Sequence, residues 1–348
     1  KMNNTINNFS PFQTIAGFNQ INELTNFITN KTCVITMKDI WNLYKNRFPN
    51  NIDVYFVSTL EEKDLNKEIN KFKNYTMLIG FGGGQALDIA KYFAWKNGIK
   101  FFQFPTSISV DAVFGHRSGV RRNGVVNYLG WAVPECVFID YEIISSAPKI
   151  YNYSGIGDVL CFYTGVLDWQ YADSKNKCEE KWPYKSELAN KSLAYVDDLL
   201  LNGENIREMN EKGINAIISA HQWGGNSFFS NGWNPRHIEG IEHFFFYNLE
   251  YITNKKFIHG QPVCLGFILG CLLHEKLDDR FIDFFKTIDF NFTPEAMNIN
   301  WNDVEKTLST LKEYVEKTGL WYGIANDFEY NQVILDRFKG IITDLHKS

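Results

Sequence analysis

In the first 150 residues short apolar runs alternate with helix-like stretches, and this alternation restricts the chain more than any other feature. The runs TCVITM (32–37), IDVYFV (52–57), YTMLIG (75–80), KFFQFP (100–105) and CVFID (136–140) read as strands. The polar EEKDLNKEINKF (61–72) suits a crossover helix, and a second helical pattern runs through Lys96. Strand, helix, strand in alternation builds a parallel sheet with helices on its faces, and such sheets take ligands at the carboxyl ends of their strands. A chain of 348 residues is longer than one core usually supports, so a second domain is expected. After Pro148 the texture becomes helical, as in SELANKSLAYVDDLLLNGENIREM, with almost no β-type alternation. The expected architecture is an α/β N-terminal domain with a parallel sheet, residues 1–149, followed by an all-α C-terminal domain, residues 150–348.

Composition narrows the function. With 45% apolar and 16% aromatic residues the chain can fill substantial cores, and a net charge of −5 argues against a nucleic-acid binder. The most lipid-like segment, PVCLGFILGCLL (262–273), is too short to span a bilayer and reads as a buried helix. Six cysteines lack any CxxC spacing and read as reduced thiols. The first forty residues hold no continuous apolar core of the secretory kind. A cytoplasmic protein without membrane or nucleic-acid partners is the expectation. The start is rich in asparagine and reads as a tail.

Two loops carry the chemistry of the first domain. GFGGGQALDIAK (80–91) places Gly82, Gly83 and Gly84 between a strand and a helix, where backbone N–H groups and the helix dipole can hold a phosphate. It is not GxGxxG, and glycine clusters also mark plain tight turns. The next strand ends in FPTSISVDAVF (104–114), which collects Thr106, Ser109 and Asp111 where the sheet opens. Helix capping is the alternative role for each hydroxyl. GHRSGVRRNG (115–124) clusters Arg117, Arg121 and Arg122, either as phosphate forks or as a solvated basic hairpin.

In the helical half Asp158, His243 and His259 form a candidate metal set. One carboxylate and two imidazoles suffice for a divalent ion that keeps a position open for substrate. The position one helical turn after Asp158 is Phe162, which cannot ligate, so three ligands are expected rather than four, with zinc as the first choice and iron as the second. The other five histidines, 116, 221, 237, 274 and 346, read as core or surface residues. The aromatic segment HQWGGNSFFSNGWNPRH (221–237), with Trp223, Phe228, Phe229 and Trp233, reads as core or as a roof over the pocket.

Taken in order, GGGQALDIAK, PTSISVDA, PECVFIDYEIISSAPKIYNYSGIGDVL, EHFF and IHG resemble the iron-containing alcohol dehydrogenase and dehydroquinate synthase superfamily, most closely the glycerol-1-phosphate and glycerol dehydrogenases. The resemblance spans roughly residue 12 to at least residue 275. It implies a dinucleotide-binding first domain, a helical metal-binding second domain and an active site in the cleft between them. Gly82, Gly83 and Gly84 would hold the pyrophosphate of NAD or NADP, with Asp88 shaping the loop. Thr106 and Ser109 would line the nicotinamide side, and Asp111 would contact substrate hydroxyls. Asp158, His243 and His259 match the metal ligands, for zinc first and iron or nickel otherwise, and all three belong with Asp111 to the catalytic set. The implied reaction is metal-dependent NAD(P) oxidoreduction between a small polyol or polyol phosphate, such as sn-glycerol 1-phosphate, and its ketone, in a homo-oligomer. An NAD-dependent sugar phosphate cyclase and a non-catalytic nucleotide-binding scaffold are the alternatives. Cyclases of that type use glutamate as first ligand and several lysines nearby, where this chain has Asp158 and GHRSGVRR. Further departures from the family are Gly115, His116, Arg117 and Gly119 after the Ser-x-Asp position, and Tyr247 one turn after His243. Met37 and Lys38 end the first strand where an acidic residue would favour NAD, so Lys38 could tolerate the NADP phosphate.

Overall fold

The computed structural model describes residues 4–5, 12–230 and 234–347. It divides into two compact units, Lys1–Asn152 with His221–Gly232, and Tyr153–Ala220 with Trp233–Ser348. The break thus falls at 152/153 rather than at the expected 149/150, and one later segment joins the first unit. Gly225, in that segment, lies so close to the Phe114 backbone that a Cβ would meet its carbonyl carbon at 2.7 Å. No linear boundary could show this return of the chain.

The first unit contains strands β1 (Asn4–Thr5), β2 (Gln13–Gly17), β3 (Thr32–Thr36), β4 (Asp53–Phe56), β5 (Met77–Gly82), β6 (Lys100–Pro105), β7 (Ser118–Arg122), β8 (Val125–Leu129) and β9 (Cys136–Asp140). Its helices are α1 (Gln20–Thr25), α2 (Lys38–Tyr44), α3 (Glu62–Glu68), α4 (Gly84–Asn97), α5 (Tyr141–Ser146) and α6 (Lys149–Ser154), the last of which runs across the break. Among the described residues seven strands form one sheet in the order β1-β2-β9-β6-β5-β3-β4, parallel except for β1. Alternate side chains fill two cores. Cys33, Ile35, Leu78 and Phe101 point to one face with Tyr92 and Phe93 of α4. Val34, Ile79, Phe81, Phe102, Phe104 and Phe138 point to the other with Ile143. Each fully buried phenylalanine contributes about 1.5–3 kcal/mol, which makes the period-two register hard to slip. Asp140, at the end of β9, accepts from the N–H groups of Glu142, Ile143 and Gln20, and so caps both α5 and α1.

β7 and β8 form a separate hairpin. Its two-residue turn is Asn123-Gly124, with φ of +52° and +79°, the pairing that a hairpin turn of matching twist requires.

The second unit is helical. Its elements are α7 (Gly157–Ser174), α8 (Ser186–Leu201), α9 (Gly203–Glu208), α10 (Glu211–Ser230), α11 (Ile241–Thr253), α12 (Gly260–Leu273), α13 (Asp279–Ile288), α14 (Trp301–Thr318), α15 (Ile324–Asp327) and α16 (Gln332–Leu345). α10 begins in this unit, and its second half belongs to the first. α12 is the apolar segment 262–273 with two more residues at its start, and all of it except its last residue is buried. Among the described residues no helix is long and apolar enough to cross a membrane. The six cysteines are free, five of them buried and Cys178 half-buried. Most of the asparagine-rich start, and Trp233 of the aromatic segment, lie outside the described residues, as do the side chains of Phe228 and Phe229.

Candidate metal centre and nucleotide loop

Glycines decide how the metal-site helices meet. Gly157, at the start of α7, packs on Gly260, at the start of α12, where a Cβ on Gly157 would stand 3.2 Å from the Gly260 Cα. The Gly260 N–H donates to Ser154 Oγ at 2.7 Å, and a Cβ there would overlap the Ser154 backbone. The residues beside these glycines, Asp158 and His259, are thereby brought together, with His259 Nε2 2.8 Å from Asp158 Oδ1. The third helix, α11, crosses α12 over Gly266, whose Cβ would meet the Glu242 backbone at 2.6 Å. This crossing delivers His243, whose Nε2 is 3.3 Å from His259 Nε2 and 3.6 Å from Asp158 Oδ1. The three donor atoms lie within 4.8 Å of one another.

The environment suits a cation. Glu242 Oε1 lies 3.0 Å from His243 Nδ1; a carboxylate only accepts, so Nδ1 carries a proton and Nε2 is the ring nitrogen left for an ion among Asp158 and His259. Glu242 is itself held by the Gly240 N–H at 2.7 Å and by the Thr164 hydroxyl at 2.6 Å. Burial raises the Asp158 carboxyl, but the positive charge of His259 and hydrogen bonds from both histidines outweigh it and hold the group well below the usual carboxylate range. Burial works against the His243 imidazolium, yet the charge of Glu239 and the bonds to Asp158, Cys161 and Glu242 raise its pKa well above the ordinary value. Positive charge is therefore favoured among these atoms. The donor set fits a divalent ion with one carboxylate and two nitrogens. Cys161, Glu242 and His243 also converge, but burial pushes the Cys161 thiol up and it donates to Ile238 O at 2.9 Å. This second group supports the first rather than competing with it.

Asp158, His243 and His259 each sit within the first turn or at the cap of their helix. Three helix N-termini therefore stand within a turn of the site, where their partial positive charge favours a negatively charged ligand atom. Phe162 is buried one turn after Asp158, and the Tyr247 hydroxyl donates to Glu239 Oε1 at 2.8 Å one turn after His243.

In the first unit the glycine turn has three distinct tasks. Gly82 has φ of +149°, which a side chain would strain, and its carbonyl accepts the Thr106 N–H at 2.9 Å. Gly84 would meet Val110 Cγ2 at 2.9 Å with any Cβ. Gly83 is different, since a Cβ there meets nothing nearer than Ser107 Oγ at 3.7 Å. It is the N-cap of α4, which has neither a capping side chain nor an acidic residue in its first turn. The first amides of α4 thus need an external acceptor, and a phosphate fits them. Thr106 is buried, and Ser109 and Asp111 are half-buried, Asp111 opening a 3-10 turn to Phe114.

Asp88, on α4, lies against Lys91 and Gly119. It is paired with Lys91 at 3.4 Å, and the fully buried Lys91 Nζ donates to the carbonyls of Ala112 at 2.6 Å and Arg117 at 2.9 Å. Burial raises the Asp88 carboxyl and lowers the Lys91 ammonium, and each group's charge offsets the other's shift. Asp88 shapes the region through the following segment, because a Cβ on Gly119 would come within 2.9 Å of its Oδ2. This accounts for one family departure. Two of the three arginines have contacts at the hairpin: Arg122 pairs with Glu62 on α3, and Arg121 donates to its own turn at Gly124 O, 2.6 Å. His116 is buried against Trp131, and Lys38 is exposed.

Residues 28–148 match the iron-containing alcohol dehydrogenase family. A glycerol-1-phosphate dehydrogenase [NAD(P)+] of Thermococcus sibiricus is 30% identical over 247 residues, covering 70% of this chain and 68% of the relative. The chain belongs to the iron-containing alcohol dehydrogenase family. Another glycerol-1-phosphate dehydrogenase [NAD(P)+], from Pyrococcus abyssi, is 26% identical over 314 residues, 86% of this chain and 83% of its own. The fold is shared with the crystal structure of glycerol dehydrogenase from Schizosaccharomyces pombe at a TM-score of 0.70, 18% identity, and coverage of 99% and 92%. Family membership agrees with the α/β sheet followed by a helical part.

Glu242 was not among the residues that the sequence singled out. Neighbouring helical positions point to different faces, so EH at 242–243 carries no pairing signal. The carboxylate reaches His243 only because it folds back over the α11 N-terminus.

Proposed function

We propose that the protein is a metal-dependent NAD(P) oxidoreductase that interconverts a polyol phosphate of the sn-glycerol 1-phosphate type and its ketone. The observation that carries this is the convergence of Asp158, His243 and His259, with Glu242 fixing the imidazole of His243. These three residues would hold the ion, zinc suiting the donor set best. With Asp158, His243 and His259 holding a divalent ion, the site would supply Lewis acidity for the substrate oxygen, and NAD(P) would supply the hydride chemistry. The protein's part is placement. Glu242 keeps the proton on Nδ1 of His243, and the three helix N-termini favour negative charge on the reacting oxygen. Gly82, Gly83 and Gly84 would cradle the cofactor pyrophosphate on backbone amides, Thr106 and Ser109 would line its nicotinamide side, and Asp111 would accept from a substrate hydroxyl. Asp88 and Lys91 hold the segment that carries Asp111.

The names of the relatives support a phosphorylated substrate, but the Arg121 and Arg122 contacts favour a structural hairpin over a phosphate cradle. Arg122→Ala should therefore leave KM for a phosphorylated polyol unchanged. The test of the whole reading is nicotinamide absorbance with the zinc-loaded protein, both cofactors, and a panel of polyols and polyol phosphates. Turnover of glycerol 1-phosphate that Asp158→Ala and His259→Ala abolish together with zinc binding is the expected result. Release of inorganic phosphate without net cofactor reduction would instead identify a cyclase.

A further inference from the structure

Asp168 lies ten positions beyond Asp158 on α7, about 15 Å along the helix. It is a buried carboxylate, and its partners are unusual. Oδ2 accepts the Ile241 N–H at 2.7 Å, at the first residue of α11. Oδ1 accepts from His274 Nε2 at 2.9 Å, at the C-terminal cap of α12, and from the Ile324 N–H at 3.0 Å, the first residue of α15. Both α11 and α15 have glycine as N-cap and so cannot cap themselves with a side chain. Glycine is also what admits the carboxylate, because a Cβ on Gly240 would stand 2.6 Å from Asp168 Oδ2 and one on Gly323 2.8 Å from its Cγ.

We propose that Asp168 is a positioning residue for the metal centre, one carboxylate that ties together the three helices carrying Asp158, His243 and His259. The inference rests on the reading of those three side chains as metal ligands. α7 carries Asp158 and Asp168, the bond to Ile241 N fixes α11 two residues before His243, and the bond to His274 fixes the far end of the helix that His259 caps. Loss of the carboxylate frees the α11 N-terminus to turn, and the His243 lone pair leaves the common point.

The test measures zinc affinity by chelator competition, NAD affinity by fluorescence titration, and melting temperature with and without zinc. The variants are Asp168→Ala, Asp168→Asn and His274→Phe, with Asp158→Ala as reference. Asp168→Ala should lose about 10–100-fold in zinc affinity, with NAD affinity unchanged and a smaller rise in melting temperature on adding zinc. Asp168→Asn, which keeps one acceptor oxygen, should fall between. Should Asp168→Ala fail to fold, Asp168→Asn and His274→Phe carry the same measurement through milder losses. Equal drops in melting temperature with and without zinc, at wild-type zinc affinity, would mean a purely structural clamp and overturn this inference alone. Wild-type zinc affinity in Asp158→Ala would overturn the metal reading and this inference with it.

Discussion

Replacing Glu242 by alanine isolates the contribution of a carboxylate that bonds His243 on the ring nitrogen opposite Asp158 and His259. Its carboxylate receives three bonds, from Gly240 N at 2.7 Å, Thr164 Oγ1 at 2.6 Å and His243 Nδ1 at 3.0 Å. The site is fully buried. Two consequences follow and can be separated. Three buried donors lose their acceptor at about 1–3 kcal/mol each, so the apo-protein should lose at least about 3 kcal/mol of stability. The His243 ring also loses its tautomer and orientation lock, which at a metal ligand costs about 10–100-fold in affinity, or about 1.4–2.7 kcal/mol. Glu242→Gln separates the two effects. Its amide oxygen can keep Gly240 and His243, and its NH2 can donate to Thr164 Oγ1, whose own hydrogen can turn to the Cys161 carbonyl 3.5 Å away. The glutamine variant should therefore retain most of the stability while losing part of the zinc affinity, because the negative charge behind the imidazole is gone. Chelator competition gives the affinity, and denaturant unfolding with and without zinc gives the stability. Wild-type zinc affinity in a folded Glu242→Ala protein would refute the reasoning.

Gly83→Ala should leave the melting temperature nearly unchanged, since the new methyl meets only Ser107 Oγ at 3.7 Å, yet raise the Kd for NAD(P) by covering the α4 amides; a wild-type Kd by titration would remove the phosphate role. Lys91→Met leaves the partly buried Asp88 carboxylate and the Ala112 and Arg117 carbonyls without their cation and should cost about 3 kcal/mol in urea unfolding, whereas Asp88→Leu with Lys91→Met should recover part of that loss; a double variant no better than the single would contradict the pairing. His237 is buried on Ser192 Oγ at 2.7 Å and burial pushes its pKa down to about 3. The unfolded chain takes up a proton near pH 6.5 that the folded chain refuses, so stability falls as pH drops from about 6.5 toward 3, by about 1.4 kcal/mol per pH unit. His237→Gln should flatten the stability profile by that slope above pH 4, and parallel profiles for the two proteins would show that His237 does not titrate in this way.

Local sequence carried much of the fold. β6 and β9 coincide with the mostly apolar runs 100–105 and 136–140, because strands buried on both faces are dominated by apolar residues. The hairpin is marked by Asn123-Gly124, since few other pairs accept two positive φ values. β2, Gln13–Gly17, went unseen because QTIAG is short and has little apolar patterning of its own. Asp158, His243 and His259 stood out by residue type and family order, and packing brings their donor atoms within 4.8 Å of one another.

What the chain determined by itself was therefore a set of local quantities: which segments extend or coil, which turns need glycine, and which side chains have donor chemistry. Tertiary structure decided which of these meet. Asp168 in VLDWQY looks like an ordinary helix residue, and only packing brings the N-termini of α11 and α15 and the end of α12 to its carboxylate. The same packing sends Arg122 to Glu62 and returns His221–Gly232 to the first unit. Backbone propensity acts over a few residues, whereas a buried polar group is satisfied by whatever donor the fold carries to it, however distant in sequence.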